Sequence, residues 1–234
     1  MTVSRVAAII PAAGQSTRVG FDKLFANLDG SPVLAHTINA FERCSAIDII
    51  VLVTSAGSHD RVKALVARSD WPKVRDICLG GRRRQDSVAA GLALVEDADV
   101  VAIHDGARPL VSSQLIERGV RAAREWGAAV PLVPVVDTIK VVKGPANDPE
   151  GDGVETIVDT PDRSRLRTVQ TPQVFQRQII ARAHRAITEE VTDDASMVER
   201  LGLPVVGFPG ERRNIKITTA DDLAVARALL GISG

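Results

Sequence analysis

The chain has 234 residues, of which 45% are apolar and 25% charged, and its 29 basic residues balance its 29 acidic ones. This composition is that of a globular protein and excludes collagen-like, fibrous and disordered chains. A balanced charge argues against duplex nucleic acid as a partner, because such binding relies on a basic excess. No apolar run approaches the ~18 to 20 residues of a membrane-spanning helix, so we expect no membrane partner either.

The two cysteines and the N-terminus bear on the compartment. Cys44 and Cys78 do not have the spacing of metal ligands and are expected to be reduced. The first residues, MTVSRVAAIIPAAG, run into a glycine turn and do not follow the pattern of a signal peptide. A cytoplasmic protein is therefore expected.

Short apolar runs alternate with amphipathic stretches up to Pro134. The apolar runs predict buried strands at Val6–Ile10, Ile47–Val53, Val100–Ile103 and Ala128–Val133. The amphipathic stretches predict a helix opened by the cap signal Ser31-Pro32, and further helices at His59–Arg68, Asp86–Val95 and Ser113–Trp126. Strands that alternate with helices predict an α/β fold, with a mostly parallel sheet and helices on both faces.

The alternation ends after Pro134. Val135–Val142 and Val154–Val158 both have the pattern of strands and flank the polar stretch KGPANDPEGDG, which predicts a long hairpin. A hairpin with so polar a tip is expected to project from the body or to embrace another subunit. The remaining predicted elements are helices at Gln176–Glu190 and Ala195–Leu201, a strand at Leu203–Phe208 and a helix at Thr219–Leu230. We therefore predict one domain over residues 1–234, with a β-arm at about residues 137–158.

The turn after the first predicted strand is rich in small residues and carries two cations. It runs from Pro11 through Gly14 and supplies Arg18 and Lys23. Such a turn lets backbone N–H groups approach an anion, and the cations can stabilise charge on a phosphate. The pattern is neither the Walker A loop nor the dinucleotide fingerprint. An ordinary α/β turn with two solvated cations is the alternative reading.

Two further turns are candidate ligand sites. Gly80-Gly81 and the basic residues after it lie between a strand and a helix, where the glycines can approach a base or ribose and Asp86 or Ser87 can cap the helix. Asp105 follows the strand VVAI directly, so it is expected at the carboxyl end of a central strand, where open α/β sheets bind ligands. There Asp105 can hold Mg²⁺ or a hydroxyl, and Arg108 can bind a phosphate with two nitrogens.

His104 is interpreted as a packed histidine at a strand end rather than as a catalyst. Lys216 lies at one end of the strand-like stretch NIKIT, and a surface lysine is the alternative reading. Asp193 and Asp194 fit a metal site and a helix cap equally well.

Several of these segments, in this order, resemble one family across nearly the whole chain. PAAGQSTRVGFDK, GGRRRQDSV, HDGARPLV, VVDTIK, TPQVF, DDASMVE and RRNIKITTADDL are similar to the motif series of the 2-C-methyl-D-erythritol 4-phosphate cytidylyltransferases. These are the CTP-using enzymes of the non-mevalonate isoprenoid pathway. A PAAG turn is shared by many nucleotidyltransferases, whereas the combination of DGARP, DTIK, TPQ and NIKIT is specific.

The resemblance implies a Rossmann-like α/β fold of the nucleotidyltransferase type, with a β-arm that helps to form a homodimer. It implies transfer of CMP from CTP to the methylerythritol phosphate, with release of pyrophosphate and with Mg²⁺ as cofactor. It also implies that Arg18 and Lys23 stabilise the transition state and that Arg163 and Lys216 position the methylerythritol phosphate.

Further residues match binding positions of the family. Asp105 matches the acidic residue near Mg²⁺ and the substrate. The positions matched to CTP are Pro11, Ala12, Ala13, Gly14, Gly81, Arg82 and Ser87. Further substrate-site positions are Ala107, Arg108, Thr138 and Thr171, some of them expected to reach in from a partner subunit.

The chain departs from the family pattern at two places. VGFD separates Arg18 from Lys23 without the proline that often precedes the lysine, and Arg82 stands where some members have an acidic residue. Three alternatives remain at this point. They are a cytidylyltransferase for another polyol phosphate such as D-ribitol 5-phosphate, a sugar-1-phosphate nucleotidyltransferase, and a nucleotide-binding protein without catalysis.

Overall fold

The structure is a computed structural model and describes residues 4–13, 22–143 and 155–231. Its strands are β1 (Val6–Ala12), β2 (Asn27–Leu28), β3 (Ser31–Pro32), β4 (Ile49–Thr54), β5 (Val74–Leu79), β6 (Val100–Ile103), β7 (Ala128–Pro134), β8 (Val141–Val142), β9 (Ile157–Asp159), β10 (Arg167–Val169), β11 (Gln173–Gln176) and β12 (Val206–Pro209). Its α-helices are α1 (Val33–Arg43), α2 (His59–Ala67), α3 (Arg84–Leu92), α4 (Ser113–Trp126), α5 (Arg177–Ala186), α6 (Asp194–Arg200) and α7 (Ala220–Gly231).

The main sheet has eight strands, seven of them in the order β10-β7-β11-β6-β1-β4-β5, with β12 paired to β7. β5, β4, β1 and β6 pair in parallel, as do β7 and β12. β11 lies between β6 and β7 and is antiparallel to both. The carboxyl ends of the four parallel strands therefore meet the amino end of β11 at one edge of the sheet. This arrangement confirms the predicted mostly parallel sheet.

Helices cover both faces of the sheet because alternate residues of each strand point to opposite sides. Ala8 and Ile10 of β1 pack in the core formed with α1, α2 and α4. Ala7 and Ile9 pack in the core formed with α3, α5 and α6. Both strand faces are apolar, and this is why the strands appear in the sequence as continuous apolar runs. A third, smaller cluster joins α7 to β2 through Leu28.

Most predicted elements are confirmed to within a few residues, and the exceptions have physical reasons. Ser31 does not cap α1: it lies in β3, and the helix begins at Val33 without a side-chain cap. Asp86 does cap α3, from within its first turn: the helix starts after Arg83, and the Asp86 carboxylate accepts from Arg83 N–H (3.1 Å). The stretch NIKIT is not a strand, because residues 214–218 form no ladder. The sequence also gave no sign of β11, whose four residues are bounded by glutamines.

Only part of the predicted hairpin is regular. β8 pairs antiparallel with β9, in a two-stranded sheet apart from the main one. Val135–Val142 is predicted as one strand, yet only its last two residues pair. Val136 and Ile139 are 57% and 39% exposed, and neither pairs with a strand in the described part of the chain. The segment 144–154 lies outside the described residues. A projecting arm stays a prediction.

Among the described residues, no helix combines the length and the apolar character needed to cross a bilayer.

Candidate active site

Asp105 lies in the turn that follows β6, at the carboxyl edge of the sheet. The hydrogen bonding between β1 and β6 continues past the last paired residues: His104 N–H donates to the Ile9 carbonyl (3.0 Å) and Gly106 N–H to the Pro11 carbonyl (3.2 Å). Thr37 of α1 donates to the Gly106 carbonyl from the other side (2.9 Å). The turn is thus fixed at its backbone to the strand and helix beside it.

A buried hydrogen-bond chain holds the same turn to the start of β11. In the β6–β11 register Gln173 lies opposite Ile103, so the antiparallel pairing brings Thr171 beside Asp105. Asp105 N–H donates to the Thr171 hydroxyl (3.1 Å), which lies 3.0 Å from His104 Nδ1. His104 Nε2 lies 3.2 Å from the Arg108 carbonyl, which can only accept, so Nε2 carries the proton and Thr171 donates to Nδ1.

This chain gives His104 and Thr171 definite roles. Burial lowers the pKa of His104 to about 4, so the ring is neutral at physiological pH. The ring also packs against Phe41, with centroids 4.9 Å apart. His104 is therefore a packed strand-end histidine, as predicted. The hydroxyl proton of Thr171 is committed to His104, so this side chain shapes the Asp105 turn.

Three basic side chains surround the Asp105 carboxylate. Lys216 Nζ lies 3.0 Å from Oδ2 and Arg108 Nε lies 3.4 Å from the same oxygen. Arg84 Nε lies 3.6 Å from Oδ1. Burial favours a neutral carboxyl, but these cations outweigh it and hold the pKa of Asp105 well below its usual range. Asp105 is an anion fixed within a positive environment.

Lys216 reaches Asp105 because its segment is anchored on both sides. Ile217 is fully buried, and its N–H donates to the Ala107 carbonyl (2.8 Å). Asn214 is also fully buried: its side-chain amide donates to the Thr171 carbonyl (2.7 Å), and its own carbonyl accepts from Arg108 Nη1 (2.8 Å). Residues 214–217 therefore form an irregular segment across the site, called the Lys216 strap below. The Lys216 side chain is 41% exposed where it meets the Asp105 carboxylate.

Lys23 lies close enough to Lys216 and Asp105 for their charges to shift its pKa. Its pKa is lowered by burial first and by the nearby Lys216 second, while Asp105 opposes both. The neighbouring Leu24 is buried, and its carbonyl accepts from Leu34 N–H at the start of α1 (3.0 Å). Lys216 thus contacts the Asp105 carboxylate and Lys23 lies in the same electrostatic environment, so the positive charge around Asp105 exceeds its single negative charge and favours an anionic ligand.

The Gly80-Gly81 turn lies next to the first turn and folds tightly onto α3. A Cβ on Gly80 would lie 2.4 Å from Ser87 Oγ and 3.1 Å from Ala13 Cβ, and one on Gly81 would lie 2.4 Å from Asp86 Cβ. The glycines are therefore required for packing within the protein itself. Ser87 is buried and donates to the Arg83 carbonyl (3.2 Å), whereas Arg82 is exposed.

The remaining predicted residues are less closely tied to this centre. Arg163 and Thr138 are exposed, and Arg163 donates to the carbonyl of Val136, two residues before Thr138. Within the described part of the chain, no hydrogen bond or ion pair joins either residue to Asp105. Pro11 and Ala12 end β1 at the carboxyl edge, and Ala13 follows directly. Arg18 and Gly14 lie outside the described residues.

The sequence interpretation missed two residues of the site. Arg84 bridges Asp105 and the carboxylate of Asp194, and Asn214 ties the Lys216 strap to Thr171. Arg84 was visible only as one of three consecutive arginines, and its partner Asp194 is 110 residues away. Asp193 was read as a metal ligand or a cap. The structure shows the cap, since its carboxylate accepts from Ser196 N–H (3.0 Å).

Comparisons with known proteins give the family. Residues 6–232 match the family described as 2-C-methyl-D-erythritol 4-phosphate cytidylyltransferase, IspD. The chain belongs to this family. A relative of that name from Dehalococcoides mccartyi is 47% identical over 227 residues, covering 97% of this chain and 96% of the relative. One from Streptomyces coelicolor is 42% identical over 233 residues, covering 97% and 85%.

Solved structures agree with the cytidylyltransferase fold. The crystal structure of 4-diphosphocytidyl-2C-methyl-D-erythritol synthase from Anaerococcus prevotii has a TM-score of 0.81 at 29% identity, covering 97% of this chain and 96% of that one. The 2-C-methyl-D-erythritol 4-phosphate cytidylyltransferase from Thermus thermophilus has a TM-score of 0.75 at 34% identity, covering 99% and 100%. The Rossmann-like fold expected from the motifs is confirmed.

Proposed function

We propose that Asp105, Lys23 and Lys216 form the centre at which this chain transfers CMP from CTP to 2-C-methyl-D-erythritol 4-phosphate. The activity follows from membership of the cytidylyltransferase family. The observation that carries the residue assignment is the contact of Lys216 and Arg108 with one largely buried carboxylate at the carboxyl edge of the sheet, with Lys23 near enough for its pKa to respond to Asp105 and Lys216. Open α/β sheets bind their ligands at this edge.

The reaction is an in-line displacement. A phosphate oxygen of methylerythritol 4-phosphate attacks the α-phosphorus of CTP, a new P–O bond forms, and the bond to the pyrophosphate breaks as pyrophosphate leaves with its electron pair. The protein contributes positioning and charge stabilisation, so neither a covalent nucleophile nor a general base is required. Lys23, with Arg18 of the same turn, neutralises the charge at the α-phosphate, and Lys216 holds the attacking phosphate.

The lowered pKa of Lys23 fits this role. Burial is the largest cause of the lowered pKa of Lys23, and repulsion from the ammonium group of Lys216 is the second. The Asp105 carboxylate opposes this repulsion. A phosphate placed between the lysines removes this repulsion and strengthens both interactions. The site is therefore electrostatically prepared for an anion. Positive charge aimed at a phosphoryl group is a large term in such catalysis.

Mg²⁺ is proposed as the cofactor, with Asp105 as the residue that would hold it. Within the described residues no three carboxylate, histidine or cysteine side chains come close enough together to form a metal site. Asp105 is the one carboxylate at the centre, and both its oxygens already face cations. Mg²⁺ often binds through one carboxylate and substrate phosphates, so Asp105 fits as a single ligand. When bound, the ion neutralises charge on the triphosphate.

The nucleotide is proposed to bind along the first turn and the Gly80-Gly81 turn, because Ala13, where the first turn leaves β1, lies against Gly80. The proposed contacts are Pro11, Ala12, Ala13 and Gly14 with the phosphates, and Gly81, Arg82 and Ser87 with the base and ribose. The Ser87 side chain is buried and its hydroxyl donates to the Gly81 and Arg83 carbonyls. Its proposed contribution is therefore to hold the Gly81 turn in place. Ala107 contributes through its carbonyl, which holds the Lys216 strap.

A second copy of the chain is proposed as the partner, with residues 137–158 as the arm of a single domain over residues 1–234. The support is a group of exposed apolar side chains around the β8–β9 pair: Val136 (57%), Ile139 (39%), Val141 (42%), Ile157 (57%) and Val158 (56%). Such a patch is typical of an interaction surface. Thr138 lies between Val136 and Ile139 in the chain, and Arg163 donates to the Val136 carbonyl, so a partner's arm is the means by which both residues would reach a substrate.

The dimer is tested by light scattering after size-exclusion chromatography. We expect a dimer for the unmodified chain and a monomer for Ile157→Lys, since a buried, unpaired lysine is costly at an interface. Val225→Lys is the matched control, because Val225 is 50% exposed on α7, away from the patch. A monomeric unmodified chain, or a dimer that survives Ile157→Lys, contradicts the proposed interface.

A cytoplasmic location is also proposed. Cys44 and Cys78 are both free thiols in the structure, as expected for a reducing compartment.

The reaction is tested by pyrophosphate release from CTP in the presence of Mg²⁺. Methylerythritol 4-phosphate and ribitol 5-phosphate are offered in parallel, and omission of the acceptor is the control. We expect release that depends on methylerythritol 4-phosphate. Release with ribitol 5-phosphate alone would contradict the substrate assignment, and CTP binding without release to either acceptor would contradict catalysis.

A further inference from the structure

Arg84 connects the Asp105 carboxylate to a second, buried carboxylate, that of Asp194. It is the first residue of α3, and its Nε lies 3.6 Å from Asp105 Oδ1. A different nitrogen of the same guanidinium, Nη1, donates to Asp194 Oδ2 at 2.6 Å. Asp194 is 1% exposed, and its other oxygen lies 3.3 Å from His184 Nε2. One side chain therefore links the turn after β6 to the start of α6 and to α5.

The far end of this link is rigidly held. Asp194 begins α6, and the residues on both sides of it are fixed to β11 by Gln173: the Gln173 amide donates to Asp193 Oδ2 (2.7 Å), and its oxygen accepts from Ala195 N–H (3.0 Å). The Gln173 side chain is buried. Both neighbours of Asp194 in the chain are thus hydrogen-bonded to Gln173, which holds the Asp194 carboxylate in place. Arg84 contacts this carboxylate and that of Asp105.

The near end needs such a link. Lys216 and Arg108 both approach Oδ2 of Asp105, so neither of them contacts Oδ1 in an ion pair. Among the described basic side chains, Arg84 is the one that faces Oδ1. We propose that Arg84 is a positioning residue that sets the orientation of the Asp105 carboxylate, with Asp194 and His184 holding Arg84 in place. This proposal rests on the cytidylyl transfer proposed above.

The arrangement distinguishes this role from two others. A lysine keeps the charge of Arg84, but one ammonium cannot span two carboxylates that now meet separate guanidinium nitrogens. A purely electrostatic role would therefore survive Arg84→Lys, whereas a positioning role would not. Asp194 contacts Arg84 and His184 but not Asp105. A role of Arg84 in binding substrate directly would therefore not be reproduced by a change at Asp194.

The experiment measures kcat, and KM for CTP and for methylerythritol 4-phosphate, by pyrophosphate release. The variants are Arg84→Lys, Arg84→Met and Asp194→Asn, with Arg83→Met as the matched control. Arg83 is the adjacent arginine, but it pairs with Asp86 and the Thr188 carbonyl, outside the site. Wild-type release with methylerythritol 4-phosphate is required first, so that failure of the proposed function is recognised separately.

For positioning, we expect Arg84→Lys, Arg84→Met and Asp194→Asn each to lower kcat by ~10-fold or more, while either KM changes by less than about threefold. Arg83→Met is expected to keep the wild-type kcat. A wild-type kcat in Arg84→Lys overturns the proposal, as does a defect of Arg84→Met confined to KM. If Asp194→Asn does not fold, the pair Arg84→Lys and Arg84→Met still decides the question.

A double-mutant cycle gives a second, independent readout. If Arg84 acts through Asp105, adding Arg84→Met to Asp105→Asn costs little further activity, since the carboxylate to be oriented is already gone. Independent, multiplying losses would overturn the proposal.

Discussion

Acidification is predicted to destabilise this fold through His104. Its ring is fully buried between Thr171 and the Arg108 carbonyl, and its pKa is lowered from 6.5 to about 4. Because the unfolded chain takes up the proton at higher pH than the folded one, the contribution of His104 is complete above about pH 6.5 and is lost as the pH falls toward about 4. One pKa unit corresponds to ~1.4 kcal/mol, so the full effect is about 3 kcal/mol.

The assay is urea unfolding at a series of pH values from about 7 down to about 4.5, for the wild-type chain and for His104→Gln. Glutamine can donate to the Arg108 carbonyl and accept from Thr171 but does not titrate. About 2 kcal/mol of stability is expected to be lost by the wild type over this range beyond any loss in the variant. Parallel pH curves for the two proteins would refute the assignment of a buried, neutral His104.

Three further predictions concern packing and hydrogen bonds. Thr171→Val removes the hydrogen-bond partner of His104 Nδ1 and of the Asp105 N–H, and it is expected to lower the free energy of unfolding in urea by about 1–3 kcal/mol. Thr171→Ser keeps a hydroxyl and should lower it clearly less. An equal loss in the two variants would count against the hydrogen-bond chain. Gly119→Ala places a Cβ 2.8 Å from Val174 on the sheet, so it should destabilise by about 1 kcal/mol despite the helix propensity of alanine, and stabilisation would show that the contact relaxes. Asp193→Ala removes the cap of α6 and should lower the free energy of unfolding by about 1 kcal/mol, whereas an unchanged value would mean that the cap is not used.

The parts of the fold that could be predicted from sequence are those with local signals. β6 was predicted with its observed bounds because VVAI is buried on both faces, and α4 because its apolar stripe repeats at helical spacing. β11 was missed because its position between β6 and β7 depends on pairing with distant strands. Val135–Val142 was over-predicted because its β-branched residues favour a strand, yet these side chains are largely exposed and only Val141 and Val142 pair.

The residues of the site also fall into those with a local signal in the sequence and those without one. Asp105 could be located because a residue directly after a central parallel strand lies at the ligand edge of the sheet. Its contact with Lys216 became visible only in the structure, because the two residues are far apart in the chain and no local pattern connects them. Arg84 and Asp194 became visible only in the structure, because an ion pair between residues 110 positions apart leaves no signal in a single sequence.

The central claim is that the lysines around Asp105 act on the transferred phosphate. It is tested most directly by the rate of pyrophosphate release from CTP and methylerythritol 4-phosphate for the wild type, Lys23→Ala and Lys216→Ala, at saturating substrates. Loss of one transition-state donor costs ~10² to 10³ in rate, so both variants should fall by about that factor while unfolding as cooperatively as the wild type. Folded variants that keep their rates within about threefold of the wild type would contradict the account.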